Sequence, residues 1–270
     1  MKTHIAVNGA AGRMGQRLVH LCQEDPELSL TVALEAPGHP QVGRDIGEVC
    51  GLGKLGVAVR DELPFDKRVE VLIDFSMPEG TMNVLPACVQ RRIPLVVATT
   101  GHTAEQKRQI EEAAHDTALL MAPNMSLSVN VLFQVVKQAA ELLAGKDFDV
   151  EIMERHHRFK KDSPSGTALH FARIIQEAMG QKELRHGREG LVGERPGDEI
   201  GIHALRVGDN VGEHTIIFST LGETLELTHR GHTRDSYARG ALLAAKFLAG
   251  KSAGRYGMVD VLGLPGARPA

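Results

Sequence analysis

Three apolar residues, Ile5–Val7, lead into Gly9-Ala10-Ala11-Gly12-Arg13-Met14-Gly15, and helical periodicity begins directly behind that turn. Few local patterns restrict a fold so strongly. Glycines let a chain turn sharply after a strand and bring backbone N–H groups against a pyrophosphate, whose charge the next helix N-terminus stabilises. The spacing is Gly-x-x-Gly-x-x-Gly rather than Gly-x-Gly-x-x-Gly, so the turn alone is a weak signal. Glu35 strengthens it. It lies 20 residues beyond Gly15 at the end of the next apolar run, where a carboxylate can accept hydrogen bonds from ribose hydroxyls; a solvated strand-end Glu is the plain alternative. Together these features predict a Rossmann-like domain that binds NADH or NADPH. Glu35 repels the 2′-phosphate of NADPH and Ala36 supplies no neutralising cation, although Arg13 is placed to swing over the adenine end. NADH is therefore expected to serve at least as well as NADPH.

The same unit of apolar run, turn and helical stretch recurs, which is the pattern of a parallel sheet. Strands are expected at Ile5–Val7, Leu28–Leu34, Val69–Phe75, Pro94–Ala98 and Ala118–Met121, and helices at Gly12–Cys22, Gly80–Arg91, Ala104–Asp116 and Leu127–Leu143. The alternation weakens after about residue 130. A strand at Val150–Glu154, a charged loop, a helix from Ser165 to Met179 and strand-like runs near Glu199–Val207, Glu213–Leu221 and Thr224–Arg230 follow. Consecutive strands imply antiparallel pairing, so this region reads as a second α+β domain of mixed sheet, one face covered by helices. The expected fold class is thus α/β with an α+β second domain, divided at residues 1–128 and 129–239. A last helix spans Asp235–Ala249, Lys182–Arg195 reads as a solvated loop, and Leu262–Ala270 as a loose tail.

Composition excludes several functions. With 31 Lys+Arg against 34 Asp+Glu the net charge is -3, which argues against nucleic acid as a partner. No apolar run approaches the roughly 18 residues of a membrane span, and no signal peptide is apparent, so neither membrane nor export is expected. Three scattered cysteines match neither disulfide nor zinc spacing, which fits a reducing cytoplasm and a chain without a metal.

Open α/β sheets bind ligands outside the carboxyl ends of their strands. Ala98-Thr99-Thr100-Gly101 and Ala122-Pro123-Asn124-Met125-Ser126 occupy such positions and could line the nicotinamide half of the crevice, as could Asp74-Phe75-Ser76. Ordinary strand-to-helix turns with capping Thr and Ser explain them equally well.

The densest chemistry lies between Glu151 and Thr167. Two imidazoles, His156 and His157, four cationic side chains and a helix beginning at Ser165-Gly166-Thr167 fall within about 17 residues. A helix start offers unpaired N–H groups that suit a carboxylate, and Lys160 with one histidine adds positive charge. One histidine of the pair is also a natural acid–base group where hydride addition to a C=N or C=C system demands a proton. A solvated surface loop is the bland alternative. His203, His214, His229 and His232 read as surface or core-edge residues.

Here the chain resembles the dihydrodipicolinate (4-hydroxy-tetrahydrodipicolinate) reductase family. The resemblance runs from Gly9–Gly15 to Val259-Asp260-Val261-Leu262, and its most specific part is Glu154-Arg155-His156-His157-x-x-Lys160-x-Asp162-x-Pro164-Ser165-Gly166-Thr167-Ala168. It implies that His156 is the catalytic acid/base and Lys160 the proton donor, while His157, Ser165, Gly166 and Thr167 hold a small dicarboxylate substrate. It further implies dinucleotide contacts from Gly9, Ala10, Ala11, Gly12, Arg13, Met14, Glu35, Phe75, Ala98, Thr99, Thr100, Ala122, Pro123, Asn124 and Met125. A homotetramer, and a segment of about 240–270 returning to the first domain, also follow from the resemblance alone. Two positions depart from the family pattern: Ala36 stands where Arg is frequent, and Ala98 where Gly is frequent. The implied reaction reduces 4-hydroxy-tetrahydrodipicolinate with NAD(P)H and releases water, on the diaminopimelate route to lysine. Two other readings compete with it, an NAD-dependent dehydrogenase of aspartate or homoserine type and an NAD(H)-sensing protein without turnover. The catalytic reading depends on His156 and His157 not pointing into bulk solvent; with both rings there, only a nucleotide binder is left.

Overall fold

A computed structural model describes residues 2–267. In chain order its first elements are β1 (Thr3–Asn8), α1 (Arg13–Glu24), β2 (Leu28–Leu34), α2 (Ile46–Val49), β3 (Val59–Arg60), β4 (Val71–Asp74) and α3 (Pro78–Arg91). There follow β5 (Leu95–Val97), α4 (Ala104–Glu112), β6 (Ala118–Met121), α5 (Leu127–Leu143), β7 (Asp149–His156) and α6 (Gly166–Met179). The last are β8 (Glu183–His186), β9 (Glu199–Arg206), β10 (Gly212–Thr220), β11 (Glu223–Gly231), α7 (Asp235–Leu248), β12 (Gly254–Tyr256) and α8 (Met258–Val261). They form two compact units, residues 1–127 with 234–270, and residues 128–233.

The first unit is built on a seven-stranded sheet of order β12-β6-β5-β4-β1-β2-β3, with every pairing parallel. Its strands are apolar without alternation because both faces are covered. Ile5 and Val7 join a core with Leu18, Ala241 and Leu248 on one face, while Ala6 joins Val84, Leu85 and Ile110 on the other. The expected Rossmann-like sheet is therefore present. Four short elements lacked a sequence signal: α2, β3, α8 and β12, whose Gly-Arg-Tyr pairs with Ala118–Leu120 at the sheet edge. Of the tail expected at Leu262–Ala270, residues 268–270 lie outside the described residues.

The second unit has a five-stranded mixed sheet of order β11-β10-β7-β9-β8. Antiparallel pairing holds for β10 with β11, but β9 and β10 do not pair, because β7 lies between them, parallel to β9 and antiparallel to β10. Residues on the α5 and α6 side form the core: Val150, Ile152, Ile216 and Phe218 pack with Phe133 and Phe171. The opposite face carries Glu151, Met153, Thr215 and Ile217, all half-buried or exposed. The solvated loop expected at Lys182–Arg195 is corrected here, since it contains β8 and two arginines with fixed partners. Arg188 Nη2 and Arg195 Nε donate to Glu151 Oε1 at 2.7 and 3.1 Å, and His203 Nε2 lies 2.7 Å from Oε2. Burial alone would raise the Glu151 carboxyl, but these partners hold it down to about 2. Spacing along the chain cannot show this, because the partners of Glu151 lie 37 to 52 residues away.

Candidate active site

At the glycine turn the backbone leaves no room for side chains. Gly9 has φ +77°, and a Cβ there would lie 2.6 Å from the Phe75 carbonyl oxygen. A Cβ on Gly15, in the first turn of α1, would fall 2.0 Å from the Gly9 carbonyl oxygen. Gly12 occupies the N-cap position without a side-chain cap. The Ala11 N–H donates to Glu35 Oε1 at 2.7 Å, so the acidic end of β2 sits against the turn, as a ribose-binding carboxylate should. Forcing a methyl group into a filled site costs about 1–3 kcal/mol. Gly15→Ala is accordingly expected to weaken NADH binding by roughly 10- to 100-fold, measured as Kd from NADH fluorescence, and an unchanged Kd would show that the turn does not hold the dinucleotide.

The ends of β1, β4 and β5 are laced together beside this turn. Asp74 is wholly buried and accepts from Asn8 Nδ2 at 2.8 Å and from the Ser76 and Thr81 hydroxyls at 2.5 Å each. Thr99 Oγ1 accepts the Ser76 N–H at 2.9 Å. Neither Thr99 nor Thr100 caps α4, because Thr103 does so in a capping box with Gln106. Phe75 and Ala98 are half-buried, and Thr100 is exposed. In the segment Ala122–Met125, Pro123 is exposed, Asn124 is buried, and Asn124 Oδ1 accepts the Ser126 N–H at 2.9 Å, a local turn bond.

In the second unit, alternation along β7 puts Glu154 and His156 side by side on the core face. His156 is 7% exposed, so its ring does not point into bulk solvent. Its Nδ1–H donates to Glu154 Oε2 at 2.5 Å. The Glu154 carboxylate is completely buried and also accepts Arg206 Nη1 at 2.9 Å, Arg206 Nη2 at 2.8 Å and the Ser165 N–H at 3.0 Å. Burial raises that carboxyl, but hydrogen bonds from His156 and Arg206 prevail and bring it to about 2. Ser165 caps α6 through its hydroxyl, which accepts the Ala168 N–H at 3.2 Å. Lys160 Nζ lies 2.9 Å from Asp162 Oδ1. His157 is half-buried, Gly166 is exposed and Thr167 is buried.

Two histidines expected at the surface or core edge are corrected. His214 and His229 are buried, and cross-strand register aligns Glu154 on β7, His214 on β10 and His229 on β11 in one row beneath His156. The His156 and His214 ring centroids are 5.3 Å apart, and burial drives the His214 imidazole down to about 3, so it is neutral at rest. Sequence reasoning also missed Glu154 and Arg206. The i, i+2 spacing of Glu154 and His156 on a strand was the one available signal, while Arg206 lies 52 residues from Glu154.

Two family models cover nearly the whole chain: dihydrodipicolinate reductase, N-terminus, over residues 3–125, and dihydrodipicolinate reductase, C-terminus, over residues 128–262. The chain belongs to the dihydrodipicolinate reductase family. It is 47% identical over 264 residues to the 4-hydroxy-tetrahydrodipicolinate reductase of Geobacter sp. (strain M21), covering 96% of this chain and 98% of that relative. The protein of the same name from Syntrophus aciditrophicus (strain SB) is 46% identical over 261 residues, with 95% and 97% covered. Among solved structures, the dipicolinate-bound dihydrodipicolinate reductase from Paenisporosarcina sp. TG-14 superposes with a TM-score of 0.72 at 24% identity, covering 96% and 98% of the two chains, and bears on the fold. Membership in the dihydrodipicolinate reductase family bears out the resemblance read from the His156 motif, and with it the class of NAD(P)H-dependent oxidoreductase.

Proposed function

We propose that this chain reduces 4-hydroxy-tetrahydrodipicolinate to tetrahydrodipicolinate, with oxidation of NAD(P)H and release of water. The observation that carries the residue assignment is the join, through the buried Glu154 carboxylate, between the His156 ring and the start of α6. The residues of the first unit fit a dinucleotide, since close backbone packing at Gly9 and Gly15 keeps side chains out of the turn and Glu35 lies against it. Bound NAD(P)H supplies the hydride. Backbone groups from Gly9 to Met14, with Glu35, hold its phosphates and ribose, and Phe75, Ala98–Thr100 and Ala122–Met125 line its other half. In the second unit, Gly166, Thr167 and His157 hold one substrate carboxylate at the start of α6, with Ser165 capping that helix. His156 gives a proton to the atom that gains electron density, and Lys160, steadied by Asp162, is a second proton source.

The test is turnover on the condensation product of pyruvate and aspartate semialdehyde, followed by NADH absorbance. Loss of absorbance is the expected result, and NADH stable in the presence of active condensing enzyme would overturn the reading. Glu35 also sets cofactor choice. Its carboxylate beside Ala11 faces the ribose end of the turn and Ala36 is exposed without charge, so kcat/KM with NADH should equal or exceed that with NADPH. A hundredfold preference for NADPH would refute this. The same reading includes a homotetramer assembled through the sheet face of Met153, Thr215 and Ile217, which α5 and α6 do not cover, and a cytoplasmic setting, consistent with three free, buried cysteines. No helix among the described residues is long and apolar enough to cross a membrane.

A further inference from the structure

We propose that Glu154 is a positioning residue that makes proton delivery and carboxylate capture one rigid unit; this rests on His156 being the acid/base group. A carboxylate has about four lone-pair sites, and all four are used here. Oε2 accepts from His156 Nδ1 and Arg206 Nη1, and Oε1 from Arg206 Nη2 and the Ser165 N–H.

Two consequences follow. A carboxylate only accepts, so the ring nitrogen facing it must carry a hydrogen, and His156 Nε2 is left as the atom that gains and loses the proton. The Ser165 N–H is committed to Glu154, its hydroxyl oxygen accepts the Ala168 N–H, and the same hydroxyl lies 3.3 Å from His214 Nε2, so Ser165 fixes the start of α6 rather than donating those groups to substrate. Arg206 Nη2 additionally donates to the Asp162 carbonyl oxygen at 2.8 Å, which ties the Lys160 loop to the same carboxylate. Glu154 on β7 and His214 on β10 lie against the ring, Arg206 on β9 shares the Glu154 carboxylate, and Asp162 on the loop before α6, paired with Lys160, joins the set through Arg206. Glu154 and Asp162 are the anions of this set, and Glu154 is the one bonded to the ring. The half-buried Arg206 is required because an unpaired buried carboxylate would protonate.

Glu154→Gln keeps the volume, removes the charge and turns one acceptor into a donor. It should lower kcat at least about 100-fold while leaving the NADH Kd unchanged. The alkaline limb of the kcat pH profile should move to lower pH, because the imidazolium loses its anion. Glu154→Asp, which keeps the charge, should restore the limb towards its wild-type position. Wild-type kcat and an unmoved limb in Glu154→Gln would overturn the proposal. Ring 15N NMR of the wild-type protein reads the tautomer without any turnover. The His156 signals, identified as those missing in His156→Gln, should show a permanently protonated Nδ1 and a titrating Nε2. The opposite tautomer refutes the role of Glu154 even if Glu154→Gln fails to fold. Absent turnover in the wild type would instead refute the proposed substrate, leaving the tautomer result to stand or fall separately.

Discussion

His156→Gln is expected to lower kcat by roughly a thousandfold, within the 10²–10⁴ range that general acid–base catalysis contributes. Glutamine fills much of the imidazole volume and its carboxamide can still donate to Glu154, so the buried ion pair with Arg206 keeps its geometry. It cannot carry a proton to the reduced substrate. NADH affinity should remain at the wild-type value, because the glycine turn and Glu35 belong to the first unit and His156 to the second. Substrate KM should change little, since Gly166 and Thr167, the proposed carboxylate receivers, stay on α6. This split separates a chemical role from a packing role, which would raise KM and destabilise the fold together. The pH limb assigned to this ring should also vanish in the variant. Steady-state kinetics across pH with both nucleotides checks all four points, and a variant with wild-type kcat would remove His156 from the chemistry.

The parts of this molecule that were legible in its sequence are those governed by local rules. A parallel sheet covered on both faces writes itself as uninterrupted apolar runs, and Leu28–Leu34, Ala118–Met121 and the helix Leu127–Leu143 stand where periodicity put them. The glycine turn was readable because backbone crowding excludes any side chain at Gly9 and Gly15, a constraint that glycine at those positions expresses directly. What escaped depends on strand order. Nothing near β9 indicates that β7 separates it from β10, and that insertion is what sets Arg206 on one side of Glu154 and His214 on the other. His214 and Thr215 differ in burial only through the side of the sheet each faces, which a polar residue does not announce. His214 and His229 therefore read as surface or core-edge residues, although together with Glu154 they form a polar row in core-facing positions. Buried polar groups that break the apolar pattern are where local reading fails, and here they surround the proposed proton donor.

Acid should unfold the second unit before the first. His214 is depressed from 6.5 to about 3, chiefly by burial and further by His156 and His229, while the unfolded chain titrates near 6.5. Below pH 6.5 the unfolded state binds a proton that the native state refuses, so stability falls as pH drops from 6.5 towards 3. At 1.36 kcal/mol per pKa unit the loss is at most on the order of several kcal/mol. His229 and His170 are lowered as well, also mainly by burial, and act with the same sign. A second loss sets in lower. Glu151 and Glu154 are held near 2 against 4.5 when unfolded, so the stability they contribute is complete above about pH 4.5 and disappears as pH falls through 2. Among the depressed carboxyls of the first unit, Glu105 is exposed and Asp25, Asp45, Glu70 and Asp235 are half-buried; solvent screening discounts them, and none is completely buried as Glu154 is. Tyr237 and Tyr256 are the only tyrosines, both belong to the first unit, and the chain has no tryptophan, so tyrosine fluorescence follows that unit alone. Amide hydrogen exchange across β7 and β10, recorded between pH 7 and 3, should lose protection before the tyrosine signal changes. In His214→Gln the decline between pH 6.5 and 4.5 should flatten while the carboxylate-driven loss beneath it remains. Identical pH dependence in that variant and the wild type would show that the His214 ring is not the group whose protonation opens the fold.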